Sequence, residues 1–330
     1  MNGLEFQKDK QVIVGVGSAL VDMLARESDA FLETRGVKKG GMDLVESDYI
    51  EQLVAQIDEP PFIVPGGSAC NTAIGVGMLG GKARFVGKLG QDQLGDLFQQ
   101  DLKKNHVEPV LFTSALPTGR VLSVITPDAQ RSMFTYLGAA AELKPGEITP
   151  DCFDKAAVVH VEGYLLFNRE LMLATIKAAK AAGARVSLDL ASFNVVEASK
   201  DLLDKIIADY IDILIANEDE ARAFTGQTDE EKALAALSEN VELAVLKVGH
   251  RGSMVNYQGR DIKIDPMVCP QAVDTTGAGD LWAAGFLFGL VNGYSIKKSG
   301  EFASACGAEV CQVIGANIPE DGWARIRKLI

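Results

Sequence analysis

Ala272-Val273-Asp274-Thr275-Thr276-Gly277-Ala278-Gly279-Asp280-Leu281 opens directly into the apolar run Trp282 to Val291. The first half is small and polar. The second half reads as a buried helix. Small residues in a row let the backbone turn with its N–H groups uncovered. The helix behind them adds free amides and the positive end of its dipole. Such a turn binds an anion, a transferring phosphate among them. Asp280 stands at the mouth of that site, where a carboxylate can take the proton of an alcohol that attacks the phosphate. A plain helix cap is the structural alternative, because Asp favours caps and Gly favours turns. Two acids bracketing the Thr-Thr-Gly-Ala-Gly turn favour the anion site.

Around this stretch lie 330 residues, 47% hydrophobic and 23% charged, which suits one large globular unit. The formal net charge of -13 argues against nucleic acid and against an anionic membrane surface as partners. An anionic ligand must therefore be held by a local site. The longest apolar run, Leu281 to Val291, is too short to span a bilayer. No apolar signal core follows Met1, so the expectation is a soluble, cytoplasmic protein. The five cysteines include no Cys-x-x-Cys pair, so neither a disulfide framework nor a structural zinc is expected. The three histidines are scattered and read as structural.

From Pro145 onward, strands and helices alternate: strand 157–162, helix 169–182, strand 185–190, helix 195–210, strand 211–216, helix 218–225, strand 243–248. That alternation means parallel strands with helices on both faces. Ligands of such sheets bind at the carboxyl ends of the strands. The rule selects Asp189, Asn217, Lys247 to Gly249 and the Thr276 turn. Upstream, a strand at 62–66 runs into Gly66-Gly67, then Asn71, then a helix expected over 73–79. Gly-Gly admits a ligand to the backbone, and Asn71 can donate and accept; a tight turn explains the same residues. Asp22 is a lone acid in the apolar stretch 19–24 and fits the surface of an edge strand equally well. The excursion 22–61 and the β-rich segment 109–137, with a hairpin signal at Asp128-Ala129-Gln130, would form a small second sheet acting as a lid. Asn217 and Glu220 open a helix. Dipole complementation explains that cluster, and Mg²⁺ held through water beside phosphates is the functional alternative. Gly75-Val-Gly77-Met-Leu-Gly80 has dinucleotide spacing but lies late in a helix and precedes a strand, so it reads as close packing. No Walker loop is present.

These motifs, in this order, resemble the ribokinase family, also called the pfkB family of carbohydrate and nucleoside kinases. Asp274 to Asp280 is similar to its C-terminal signature. Gly66-Gly67 with Asn71, continuing to Gly90-Gln-Asp-Gln-Leu-Gly95, is similar to its N-terminal signature, and Asn217-x-x-Glu220 to its acidic motif. The resemblance implies an α/β, ribokinase-like fold: a central, mostly parallel sheet flanked by helices on both faces, with a small β-sheet lid on one domain spanning 1–330. It implies Asp280 as general base and the Gly277, Ala278 and Gly279 amides as anion hole. Asp22, Gly66, Gly67 and Asn71 would hold sugar hydroxyls. Asn217 and Glu220 would organise Mg²⁺ through water, and Lys247, Gly249, Gly252, Thr276 and Ser304 would lie along ATP. Asp274 and the Thr276 carbonyl, with the loop near Gly315, would take a monovalent cation such as K⁺.

Among family members the variable parts are most similar to adenosine kinases: Phe31 to Gly40, Arg131 with Tyr136 to Ala141, and Ser192-Phe193 after Asp189. Arg131 and Tyr164 would then contact the substrate, and Tyr164 or Phe193 would face adenine. The implied activity is ATP-dependent phosphorylation of the hydroxymethyl group of a ribose-containing substrate, a purine nucleoside such as adenosine, by a monomer or homodimer. The alternatives are a kinase for free ribose or fructose, a nicotinamide-dependent oxidoreductase, or a binding protein without catalysis.

Overall fold

The structure is a computed structural model that describes residues 4–37, 39, 41–128 and 130–330. Its strands are β1 Val12–Val16, β2 Leu20–Arg26, β3 Met42–Leu44, β4 Phe62–Gly66, β5 Lys82–Gly90, β6 Val107–Ser114 and β7 Gly119–Ile125. They continue with β8 Arg131–Tyr136, β9 Ala156–Glu162, β10 Arg185–Asp189, β11 Ile213–Asn217, β12 Leu243–Lys247, β13 Ser253–Tyr257 and β14 Arg260–Ile264.

Two sheets result among the described residues. The large one has nine strands in the order β14-β13-β12-β11-β10-β9-β1-β5-β6. Every pairing from β12 to β6 is parallel. β13 and β14 close one edge antiparallel. β1 and β9 are buried along their whole length, as strands covered on both faces by helices must be. This is the α/β arrangement that the motifs implied.

The second sheet has five strands in the order β3-β8-β7-β2-β4. The chain leaves β1 through residues 17–19 and enters β2 at once, returning along β4 into the helix Ser68–Met78. Asp22 therefore sits in an interior, buried strand between β7 and β4, not on an edge strand. The expected bounds of the small sheet also shift. Residues 107–114 belong to the large sheet, and Phe62–Gly66 belongs to the small one. Lys38, Gly40 and Ala129, which fall in the segments assigned to the lid, lie outside the described residues. The hairpin flanking Ala129 is present, with Ile125 paired to Arg131.

β6 and β14 were not legible as strands. β6 carries Glu108-Pro109 and is the outermost strand, where a proline that cannot donate is tolerated. β14 is also an edge, and its Arg260, Asp261 and Lys263 obscure the pattern.

The helices Ser68–Met78 and Ala278–Val291 pack side by side beneath the site. A Cβ on Gly75 would stand 2.5 Å from the Ala284 Cβ, so Gly75 serves close helix packing, while one on Gly77 would meet the Asn105 carbonyl at 2.3 Å and Gly80 turns the chain at φ +88°. The helix begins at Ser68, earlier than the expected 73, which places Asn71 within it. Leu281 to Leu290 are all buried, so the helix behind the Gly-Ala-Gly turn is held rigidly. Among the described residues no helix is long and apolar enough to cross a membrane.

Candidate active site

The turn at 277–279 and the Gly67 turn meet at the carboxyl ends of the parallel strands. Gly277 adopts φ +72° and caps the helix Ala278–Val291, a left-handed conformation that disfavours other residues. Gly277, Ala278, Gly279 and Asp280 line one end of a cavity of about 480 Å³. The Asp280 carboxylate accepts from Ser68 Oγ at 2.7 Å and from Asn71 Nδ2 at 2.9 Å. Thr72 Oγ1 donates to the Asp280 carbonyl at 3.1 Å. Burial pushes the Asp280 carboxyl above its ordinary range, and Asp189 adds to that. The Asn71 and Ser68 hydrogen bonds and the Lys247 charge pull the other way. The Gly277 turn and the first amides of its helix thus have a buried carboxylate beside them, held by two side-chain donors.

Four strand ends supply the floor. Glu162 ends β9, Asp189 ends β10, Asn217 ends β11 and Lys247 ends β12. Glu162 is buried and accepts from the Ser18 amide at 2.8 Å and the Ala69 amide at 3.1 Å. It ties the β1–β2 turn to the Gly67 turn. Burial raises it to about 7, against the pull of those amides. Asn217 and Glu220 form a reciprocal capping box: the Glu220 carboxylate takes the Asn217 amide at 2.8 Å and Asn217 Nδ2 at 2.7 Å, and Asn217 Oδ1 takes the Glu220 amide at 2.9 Å. The cap therefore accounts for the motif locally, while both residues also line the cavity. Burial raises Glu220 as well, and the Lys247 charge opposes it. Lys247 Nζ donates to Asp189 Oδ2 at 2.8 Å in a largely buried ion pair.

The small sheet closes the other side. Asp22 faces the cavity with Arg131 and Tyr164. Burial lifts Asp22 to about 6, with Arg131 lowering it and Asp280 raising it. Around them the wall is apolar: Met42 and Leu44 from β3, Met133 from β8, then Leu137, Leu165 and Phe167. Of the two aromatic candidates, Tyr164 lines the cavity, whereas Phe193 is exposed and not among the lining residues.

Asp274 is 3% exposed and holds the turn from below. Its carboxylate accepts from the Thr276 amide at 2.9 Å, Thr276 Oγ1 at 2.7 Å and the Gly315 amide at 2.9 Å. The structure thus brings Asp274, Thr276 and Gly315 together. Gly66 lies beside Asp22, behind the cavity wall, where any side chain would run into the Asp22 carboxylate. Gly249 and Gly252 form the turn between β12 and β13 and do not line the cavity. Ser304 lies outside it too, donating to the Asp265 carbonyl at 3.0 Å. His160, buried in β9 beside Ser187, is held down to about 4 by burial and stays structural.

Two site residues escaped the sequence reading. Glu162 closes an apolar strand, and a lone acid at the carboxyl end of a parallel strand was the available signal. Ser68, following Gly67, looked like a turn residue; nothing local indicated its bond to an acid 212 positions away.

The match to known proteins agrees with this geometry. Residues 54–322 fit the model of the pfkB family of carbohydrate kinases. The chain belongs to that family. This pfkB kinase is 32% identical to fructokinase-2 of Solanum lycopersicum over 279 residues, 77% of this chain and 84% of that protein. Among solved structures it is similar to an adenosine kinase from Sinorhizobium meliloti, with TM-score 0.90 and 33% identity, covering 98% of this chain and 100% of the other. It is equally similar to a "probable sugar kinase protein" from Rhizobium etli, with TM-score 0.91 and 32% identity, covering 98% and 100%. The kinase is thus a phosphotransferase acting on an alcohol group of a sugar or nucleoside, which removes the nicotinamide alternative.

Proposed function

We propose that this kinase moves the terminal phosphoryl group of MgATP to the hydroxymethyl group of a purine nucleoside such as adenosine. The observation that carries this reading is the apolar wall formed by Met42, Leu44, Met133, Leu137, Leu165 and Phe167 opposite the polar end of the cavity. A free sugar carries hydroxyls on every side and would leave that wall unmatched. A nucleoside offers hydroxyls to Asp22, Asn71 and Gly67 and a flat base to the wall.

In this reading the acceptor oxygen attacks the phosphorus, its proton passes to Asp280, and the bond to the departing ADP oxygen breaks. The Gly277 to Gly279 amides meet the charge on the migrating group. Asn217 and Glu220 contact MgATP through water; their oxygens are largely committed to the cap, which suits an indirect role. Gly249, Gly252 and Ser304 are assigned to the nucleotide on motif alone. Asp274 fits K⁺, because it is a buried carboxylate with three donors and no cationic partner among the described residues. A bound cation would neutralise that charge and steady the turn. The small sheet acts as the lid that keeps water out.

Similarity to a fructokinase favours a second reading, phosphorylation of a free hexose. ADP release measured across adenosine, other purine nucleosides, ribose and fructose separates the two. Adenosine should give the highest kcat/KM. Turnover of fructose with adenosine inert would replace the first reading with the second.

A further inference from the structure

Lys247 has more donors than the protein uses. Its ammonium carries three N–H bonds, and one is taken by Asp189 Oδ2 at 2.8 Å. The pair is largely buried, with 14% and 6% side-chain exposure, and both residues line the cavity. The ammonium lies beside Gly279. A Cβ built there would stand 3.1 Å from Lys247 Nζ. Gly279 is not among the residues with positive φ and lies in the first turn of a helix, where glycine costs up to about 1 kcal/mol relative to alanine. Backbone conformation does not demand a glycine at this position, and a side chain there would press on the ammonium.

Asp189 is itself locked. Its Oδ1 accepts the Ala191 amide at 3.0 Å, closing a turn in which Ala191 is held at φ +63°. Non-glycine residues adopt that conformation only when their surroundings impose it. Ala191 lines the cavity beside Asp189.

From this arrangement we infer that Lys247 is a further catalytic residue, a cation held beside the 277–279 turn where the migrating phosphoryl group would sit, and that Asp189 is its positioning residue. The inference rests on the kinase reading above and adds to it. Motif resemblance sets Lys247 along the nucleotide as a whole; the geometry sets its charge at the 277–279 turn. As the bond to ADP breaks, negative charge grows on the equatorial and departing oxygens, and an ammonium beside the turn with two N–H bonds to spare would meet that charge. The ammonium stays protonated throughout, and the acceptor's proton goes to Asp280.

The test compares K247M, K247R, D189N and the double variant K247M/D189N with the native enzyme. K247M should lower kcat by about 10²-fold or more, with MgATP affinity by calorimetry within a few-fold. K247R keeps a charge opposite Asp189, so the fold holds, but its larger head cannot occupy the same point; it should also lose kcat. D189N should lose kcat more mildly, and the double variant should be no worse than K247M alone, because the carboxylate acts through the lysine. Native-like kcat in both lysine variants would overturn the inference, as would loss confined to MgATP affinity, or fully additive effects of D189N and K247M. Native activity that depends on Asp280 would in that event leave the kinase reading intact; absence of any phosphorylation by the native enzyme would remove that reading instead.

Discussion

Asn71 and Asp280 are 209 residues apart, yet Asn71 Nδ2 donates to Asp280 Oδ2 at 2.9 Å. This bond joins the helix after the Gly66-Gly67 turn to the helix after the Gly277 to Gly279 turn. It favours the charged form of the carboxyl. Replacing Asn71 with Ala removes that help, so Asp280 should protonate at higher pH. The acid limb of the kcat/KM profile should move to higher pH in Asn71→Ala. A profile that falls in height without moving would deny the coupling.

Asp22 and Arg131 line the cavity from the small sheet, and in the proposed reading they face the acceptor. Asp22→Ala should raise the KM for the acceptor by about 10–100-fold, as expected for losing hydrogen bonds to a charged group. MgATP affinity should hold. A loss of MgATP affinity equal to that of the acceptor would place Asp22 elsewhere in the mechanism.

Stability should depend on pH through the buried acids of the cavity, Glu162 and Asp22 among them. Burial lifts Glu162 to about 7 and Asp22 to about 6. Both bind a proton more tightly when folded than when unfolded. Stability therefore falls as pH rises between the unfolded and folded values, and the penalty is complete above the folded ones. The thermal midpoint of the ligand-free protein should rise as the pH drops from about 8 to about 6, and Glu162→Gln should flatten that slope. An unchanged slope in Glu162→Gln would show that Glu162 titrates in its ordinary range.

Much of the fold was legible because parallel strands alternate with helices from β9 to β12, and each element repeats one simple pattern. The small sheet was legible as a second sheet outside the main one, but its strand membership and order were not. Its strands come from four places in the chain, and pairing between distant segments leaves no local mark. β6 and β14 hid behind the proline and charges that edge strands tolerate. The turn at 277–279 with its buried acid was legible because small residues beside an acid have few structural uses. Ser68 and Glu162 were not, because their roles come from partners more than 90 positions away.

Gly75 offers a test of the packing that supports the site. A Cβ there would stand 2.5 Å from the Ala284 Cβ and 2.8 Å from Leu281 Cδ1. Gly75→Val should cost about 1–3 kcal/mol through overpacking, read as a lower thermal midpoint. Because the two helices carry Asn71 and Asp280, kcat should fall as well. A native midpoint would mean that the helices separate without penalty.

The most direct measurement is the single-turnover rate of phosphoryl transfer in Asp280→Asn. The substitution keeps the shape and the partners' positions but removes the base. The rate should fall by about 10²–10⁴-fold, with the fold and MgATP affinity retained. Transfer at close to the native rate would contradict the account.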